Sequence, residues 1–279
     1  MCAMRPAFFT LLLVCLALPA FAQQAVLPPP GILQIYVDTV KPGKMPEYTR
    51  VESEVAEASA RGSLWPYLAI EARSGPQEVW FVSGFDSYAS MERSDEPFLR
   101  NAALGADLGR LMETKTNLVS DPHTVLLRYR DDLSRNTGLM PPRTRFFTIS
   151  VVTVLAGHER EYEDSQRLLR NARERAETAD SRAVYQVLSG MPERTFITLS
   201  PYTSFSAAAE ALDGLLDYDD LDANVRGRLR ELLAQSVMTT QTLVFSVSPG
   251  MSNPAGEWLA DDPEFWRSSP LVQKQQPKK

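Results

Sequence analysis

Six polar or ionisable residues stand out because their spacing puts them where polar side chains are hard to accommodate. Side chains alternate between the two faces of a strand. Leu33, Ile35 and Val37 therefore form one row of an apolar strand, and Gln34, Tyr36 and Asp38 form the other. Tyr67 and Glu71 fall on a second strand and Arg128 on a fourth. If the apolar rows pack against helices, these six gather between sheets as a polar cluster, a candidate ligand-binding site. Buried ionisable groups are costly unless paired, so such a cluster implies either a bound small molecule or an ion-pair network at an inter-sheet seam.

Other chemistry is sparse. His123 and His158 are the only histidines. His158 and Glu161 share a helix face at i, i+3, a spacing that suits two metal ligands, but two ligands do not make a site and an exposed helix start explains them as well. His123 follows Asp121-Pro122 and reads as a turn. Asp220, Asp222, Asn224 and Glu231 match positions 1, 3, 5 and 12 of a calcium loop, yet Val225 stands where the sharp turn needs glycine. The same acids suit a helix N-cap. No G-x-S-x-G, H-E-x-x-H, G-x-G-x-x-G or phosphate-binding loop occurs. No metal or cofactor is expected, and no catalytic residue can be assigned.

The elements that position these residues repeat. Gly43 and Glu47-Tyr48 after one apolar strand match Gly157 and Glu161-Tyr162 after another. Phe85-Asp86-Ser87-Tyr88 matches Tyr202-Thr203-Ser204-Phe205, and the last strands, Thr124–Leu127 and Thr242–Phe245, correspond. The offset drifts only from 114 to 118. Each half reads strand, helix, strand, strand, helix, strand. Strands are expected near 32–38, 67–73, 78–83 and 124–130, then 146–153, 183–188, 195–199 and 242–247. Long helices are expected at 45–61, 103–116, 159–178 and 224–239, with short ones at 87–91 and 206–216. This is α+β architecture: two tandem ferredoxin-like βαββαβ repeats, each leaving one sheet face open, whose antiparallel sheets pack together into one α/β barrel.

Boundaries follow from punctuation. Residues 1–22 read as a signal peptide: Arg5, an apolar run from Phe8 to Leu18, and Ala20-Phe21-Ala22 as a cleavage site. Then come a Pro-rich leader (23–31), repeat 1 (32–135), a linker (136–145), repeat 2 (146–250) and a tail (251–279). Cleavage after Ala22 would leave 257 of 279 residues and take the net charge from −6 to −7, since Arg5 is the only charge removed. Both cysteines, Cys2 and Cys15, lie in the removed segment, so a disulfide or thiolate chemistry is excluded from the remainder. A periplasmic or secreted protein without stable membrane insertion is expected, either a monomeric pseudo-dimer or a homodimer. The acidic balance excludes a nucleic-acid partner. Trp258, Phe265 and Trp266 in the tail call for a partner surface, either the barrel or a second subunit.

The strand, Pro-Gly-Lys and Tyr pattern over residues 32–247 resembles the dimeric α/β-barrel superfamily, in particular its NIPSNAP-like and antibiotic-biosynthesis-monooxygenase-like groups. The resemblance implies the barrel fold and a cavity between sheets. It also implies two alternatives to simple ligand binding. One is a cofactor-independent oxygenase using Tyr36, Asp38 or Arg128. The other is a haem protein, because chlorite-dismutase-like enzymes also fuse two such units and take their haem ligand from the second unit's helical region, where this chain offers His158.

Overall fold

The computed structural model describes residues 29–135, 141–178, 180–218 and 221–268. The expected signal peptide, most of the leader, the first half of the linker, Asp219, Asp220 and the tail beyond residue 268 lie outside them.

Eight strands close into one antiparallel barrel in the order β1-β3-β2-β8-β5-β7-β6-β4. They are β1 (Ile32–Val40), β2 (Leu68–Ala72), β3 (Glu78–Phe85), β4 (Val119–Tyr129), β5 (Phe146–Val154), β6 (Ala183–Ser189), β7 (Thr195–Tyr202) and β8 (Val237–Val247). Within each half the spatial order is fourth, first, third, second strand, the ferredoxin-like arrangement. Two seams join the halves: β2 to β8 at Ile70–Ala72, and β4 to β6 at Leu126–Tyr129.

The helices lie outside: α1 (Met45–Arg61), α2 (Tyr88–Arg93), α3 (Glu96–Arg100), α4 (Ala102–Thr116), α5 (Glu159–Arg175), α6 (Phe205–Asp217), α7 (Ala223–Ser236) and α8 (Gly256–Asp261). The repeat is legible in local chemistry. Gly43 and Gly157 both adopt left-handed φ, at 76° and 85°, in the turns before α1 and α5. Ser87 and Ser204 both cap the next helix through their side chains. Asp222 caps α7 by accepting from the backbone N–H groups of Asn224 and Val225, which is the role its sequence context suggested.

The sheet's two faces are the reverse of the sequence expectation. Leu33, Ile35 and Val37 point into the barrel with Phe147, Ile149, Ile197 and Phe245, and the helices cover the other row. The lumen of an eight-stranded barrel is just wide enough for side chains to fill it. Ions there would have neither water nor partners, so the apolar row goes inside. The tail docks on its own barrel. Trp266 is fully buried in the lumen core, with Trp258, Leu259 and Phe265 packed beside it.

Candidate functional site

Two places concentrate chemistry. The first is an ionic cluster between β1 and the helices of repeat 1. Asp38 sits at a bulge of β1 and is fully buried. Tyr48, one turn into α1, donates to Asp38 Oδ2 at 2.7 Å. Lys115, from the last turn of α4, donates to the same oxygen at 3.0 Å. Its Nζ also lies 3.2 Å from Glu52 Oε1, off the line of a good hydrogen bond. It stands 4.5 Å over the Tyr36 ring as well. Asp38 Oδ1 and Tyr67 Oη are buried without a hydrogen-bond partner. Burial pushes the Glu52 carboxyl up to about 7, against the pull of Lys115. Burial would lower Lys115, but the two carboxylates overcome it and hold the ammonium above its ordinary value. Burial raises the phenols of Tyr48 and Tyr67 far out of the physiological range.

Of the six residues the sequence singled out, Tyr36, Asp38 and Tyr67 thus come together, but behind the sheet and not between sheets. Gln34 lies on the same outer row, away from the lumen. Glu71 is on the outer row of β2, opposite Val79 and Ser246. Arg128 is exposed and donates to Gln186 at 3.0 Å. The expected six-member inter-sheet cluster is therefore corrected to a three-member remnant completed by Tyr48, Glu52 and Lys115. Those three were invisible as site residues because they lie on helices. Only their apolar-stripe positions, each holding a residue that is too polar for a core, could have marked them.

The second place is the barrel mouth at the Leu33 end. A cavity of about 240 Å³ opens there, walled by Leu33, Leu68, Phe147, Tyr185, Leu199 and Trp65, with Trp258 of α8 among the lining side chains. The wall's polar groups are mostly spoken for. Trp65 Nε1 donates to the Gly84 carbonyl at 3.0 Å, and Tyr185 Oη donates to the Pro30 carbonyl at 3.1 Å. Trp258 Nε1 is buried and unpartnered. No Lys, Arg or His is among the lining residues, and the one carboxylate, Glu257, is exposed. The tail is held by Arg145, which pairs with Asp262 and stacks 3.6 Å from the Phe265 ring, and by Arg143 to Asp261 at 3.2 Å.

A smaller cavity of about 110 Å³ lies at the other end, with Glu78, His123 and Gln241 in its wall. The turn expected at His123 is replaced by strand, because β4 begins five residues earlier than its apolar run. His158 precedes α5 with its side chain 45% exposed and Nδ1 3.7 Å from Glu161. It lines neither cavity, and the 240 Å³ cavity is smaller than ordinary cofactor pockets and has no histidine in its wall. These residues do not fit haem. Among the described residues no cluster of three or more metal-ligating side chains occurs, and no helix is long and apolar enough to cross a membrane.

No known family profile and no curated protein sequence matches this chain. Solved structures do. A protein of Lactobacillus acidophilus NCFM, provisionally designated a monooxygenase, superposes with TM-score 0.50 at 9% identity, over 80% of this chain and 97% of its own. An anthrone oxidase-like protein superposes with TM-score 0.50 at 11% identity, over 78% and 91%. A chlorite dismutase of Candidatus Nitrospira defluvii covers 86% and 98% at 10% identity, with TM-score 0.43. At these identities the first two show the fold alone, a closed antiparallel α+β barrel.

Proposed function

We propose that this protein binds a small, uncharged, apolar molecule carrying one hydrogen-bond acceptor, in the barrel mouth beneath the C-terminal segment, and that it does so outside the cytoplasm. The observation that carries the reading is the composition of the 240 Å³ wall: hydrocarbon and aromatic faces, no cationic side chain, and one unpartnered buried donor in Trp258. A carboxylate ligand would lose its hydration without gaining a counter-ion, and would meet Glu257. The wall offers no Ser, Thr, Lys, His or Cys, which supports holding a molecule over attacking one. The extracytoplasmic setting is supported by the pattern of residues 1–22 and by cysteines confined to that segment.

Calorimetry with matched bicyclic probes tests this. 1-Tetralone should bind about three- to tenfold more tightly than tetralin, the worth of one net hydrogen bond. Tetralin-1-carboxylate and 1-aminotetralin should bind more weakly than either. Trp258→Phe should erase the ketone's advantage and leave tetralin unchanged. Tightest binding of the amine, or no binding of any probe, would refute the reading.

A further inference from the structure

Strand pairing brings the two repeats into correspondence around the ionic cluster, and this makes repeat 2 an internal control for what the fold requires. The offset is fixed by pairing: Ile32 faces Arg128 as Phe146 faces Ser246, and Val40 faces Val119 as Val154 faces Val237. α1 and α5 each run seventeen residues at an offset of 114. Asp38 therefore corresponds to Val152, Tyr48 to Tyr162, Glu52 to Gln166 and Lys115 to Leu233. Tyr162 is as buried as Tyr48. Where repeat 1 has the ions, however, repeat 2 has Val152 with Leu233 packed against its cluster. Gln166 accepts from Arg182 at 3.1 Å, and Arg182 takes the place of Tyr67: each bridges to an equivalent partner, Arg135 and Asn253.

The same helix–sheet junction thus forms without a triad. Replacing buried ions with well-packed apolar groups is commonly neutral or stabilising, so the junction does not require the ions that repeat 1 retains. The retained set is also unbalanced. One ammonium serves two carboxylates within 3.2 Å, and three oxygens, Asp38 Oδ1, Glu52 Oε1 and Tyr67 Oη, are buried without a hydrogen bond.

We infer that the Asp38–Lys115–Glu52 triad is a dedicated proton-binding site, which takes up and releases one proton on Glu52 while Lys115 and Asp38 remain a neutral pair. The groups facing Glu52 are Lys115 from α4, Asp38 and Tyr36 from β1, Tyr48 from its own helix, and Tyr67 from the segment before β2. All three phenols stay protonated. Asp38 accepts hydrogen bonds from both Tyr48 and Lys115, while Glu52 Oε1 accepts none, so Glu52 is the group left to exchange. The surplus negative charge cannot be relieved by solvent, since Asp38 and Glu52 are buried. The burial that lifts Glu52 to about 7 places the exchange near neutrality. Because α1 carries Glu52 and α4 carries Lys115, loading and unloading are felt where these helices meet over β1.

The test is carboxyl-carbon NMR on 13C-labelled full-length protein from pH 5 to 9. One glutamate Cδ resonance should titrate near neutrality and disappear in Glu52→Gln. Gln stands at the equivalent position of repeat 2, so this variant should fold. In the Asp38→Val/Lys115→Leu/Glu52→Gln variant, which copies repeat 2, the near-neutral step should be absent and amide exchange in α1 should lose its pH response. A Glu52 resonance that titrates with the exposed glutamates, or an α1 exchange pattern whose pH response survives Glu52→Gln, would overturn the inference.

Discussion

Lys115 is the residue whose removal should be felt most, because it leaves Asp38 and Glu52 facing each other without a cation. Lys115→Met should cost about 3–5 kcal/mol in urea unfolding, the usual penalty for orphaning a buried partner. The variant copying repeat 2 at all three positions should recover most of that loss. Glu52 has a folded pKa raised from 4.5 to about 7, so the folded state binds the proton more tightly than the unfolded chain does. Its contribution is full below about 4.5 and is lost as pH rises through 7. Melting curves should therefore show wild-type stability falling between pH 5 and 7.5 relative to Glu52→Gln, and a parallel pair of profiles would contradict this. At this scale the sequence was half legible. Tyr36 and Asp38 were conspicuous as polar residues in an apolar strand. Their face was misread because alternation separates two rows without saying which one looks inward. Tyr48, Glu52 and Lys115 are 10, 14 and 77 residues from Asp38, and only packing brings them there.

The element with the least sequence signal and the most influence on the cavity is the C-terminal segment. Its tryptophans read as needing a partner surface, but periodicity could not choose between this barrel and a second copy, since a six-residue helix has too few turns to show a face. Trp266→Ala should destabilise by about 3–5 kcal/mol, as for other buried large aromatics. It should also raise the binding of a hydrophobic dye at the barrel mouth. Dye fluorescence unchanged from wild type would mean that Trp266 does not seal the lumen. The β4–β6 seam depends on Gly190, which has φ of 88° between β6 and β7; a Cβ there would run into the Thr124 carbonyl of β4. Gly190→Ala should therefore cost more than the ~1 kcal/mol typical of a strained glycine site, read as a lower urea midpoint. The strands β4 and β8 extend five residues upstream of their apolar runs, through Ser, Asp, Pro, Thr and Gln positions. Pairing with β1 and β5 imposes extension there, which local propensity does not foresee.

For the molecule as a whole, duplication was the most readable property and closure its physical consequence. Two four-stranded sheets, each with a bare apolar face, remove both faces and all edges from water by joining at two seams. The position of the helices follows, and so does a lumen lined by Leu33, Ile35, Phe147 and Ile149. What duplication could not reveal was asymmetry: a buried Asp38–Lys115–Glu52 triad where repeat 2 has Val152, Leu233 and Gln166, and a tail that docks at one end. If residues 1–22 are removed on export, N-terminal sequencing of protein recovered outside the cytoplasm should begin at Gln23; retention of Met1 would contradict the proposed setting. The reading of the barrel mouth can be checked without knowing the natural ligand, because apolar cavities of this kind take up xenon. Crystals pressurised with xenon should show a strong peak among Leu33, Leu68, Tyr185 and Leu199, weakened by Ala183→Leu. A wild-type crystal with side chains collapsed into that space, and no xenon there, would contradict the account.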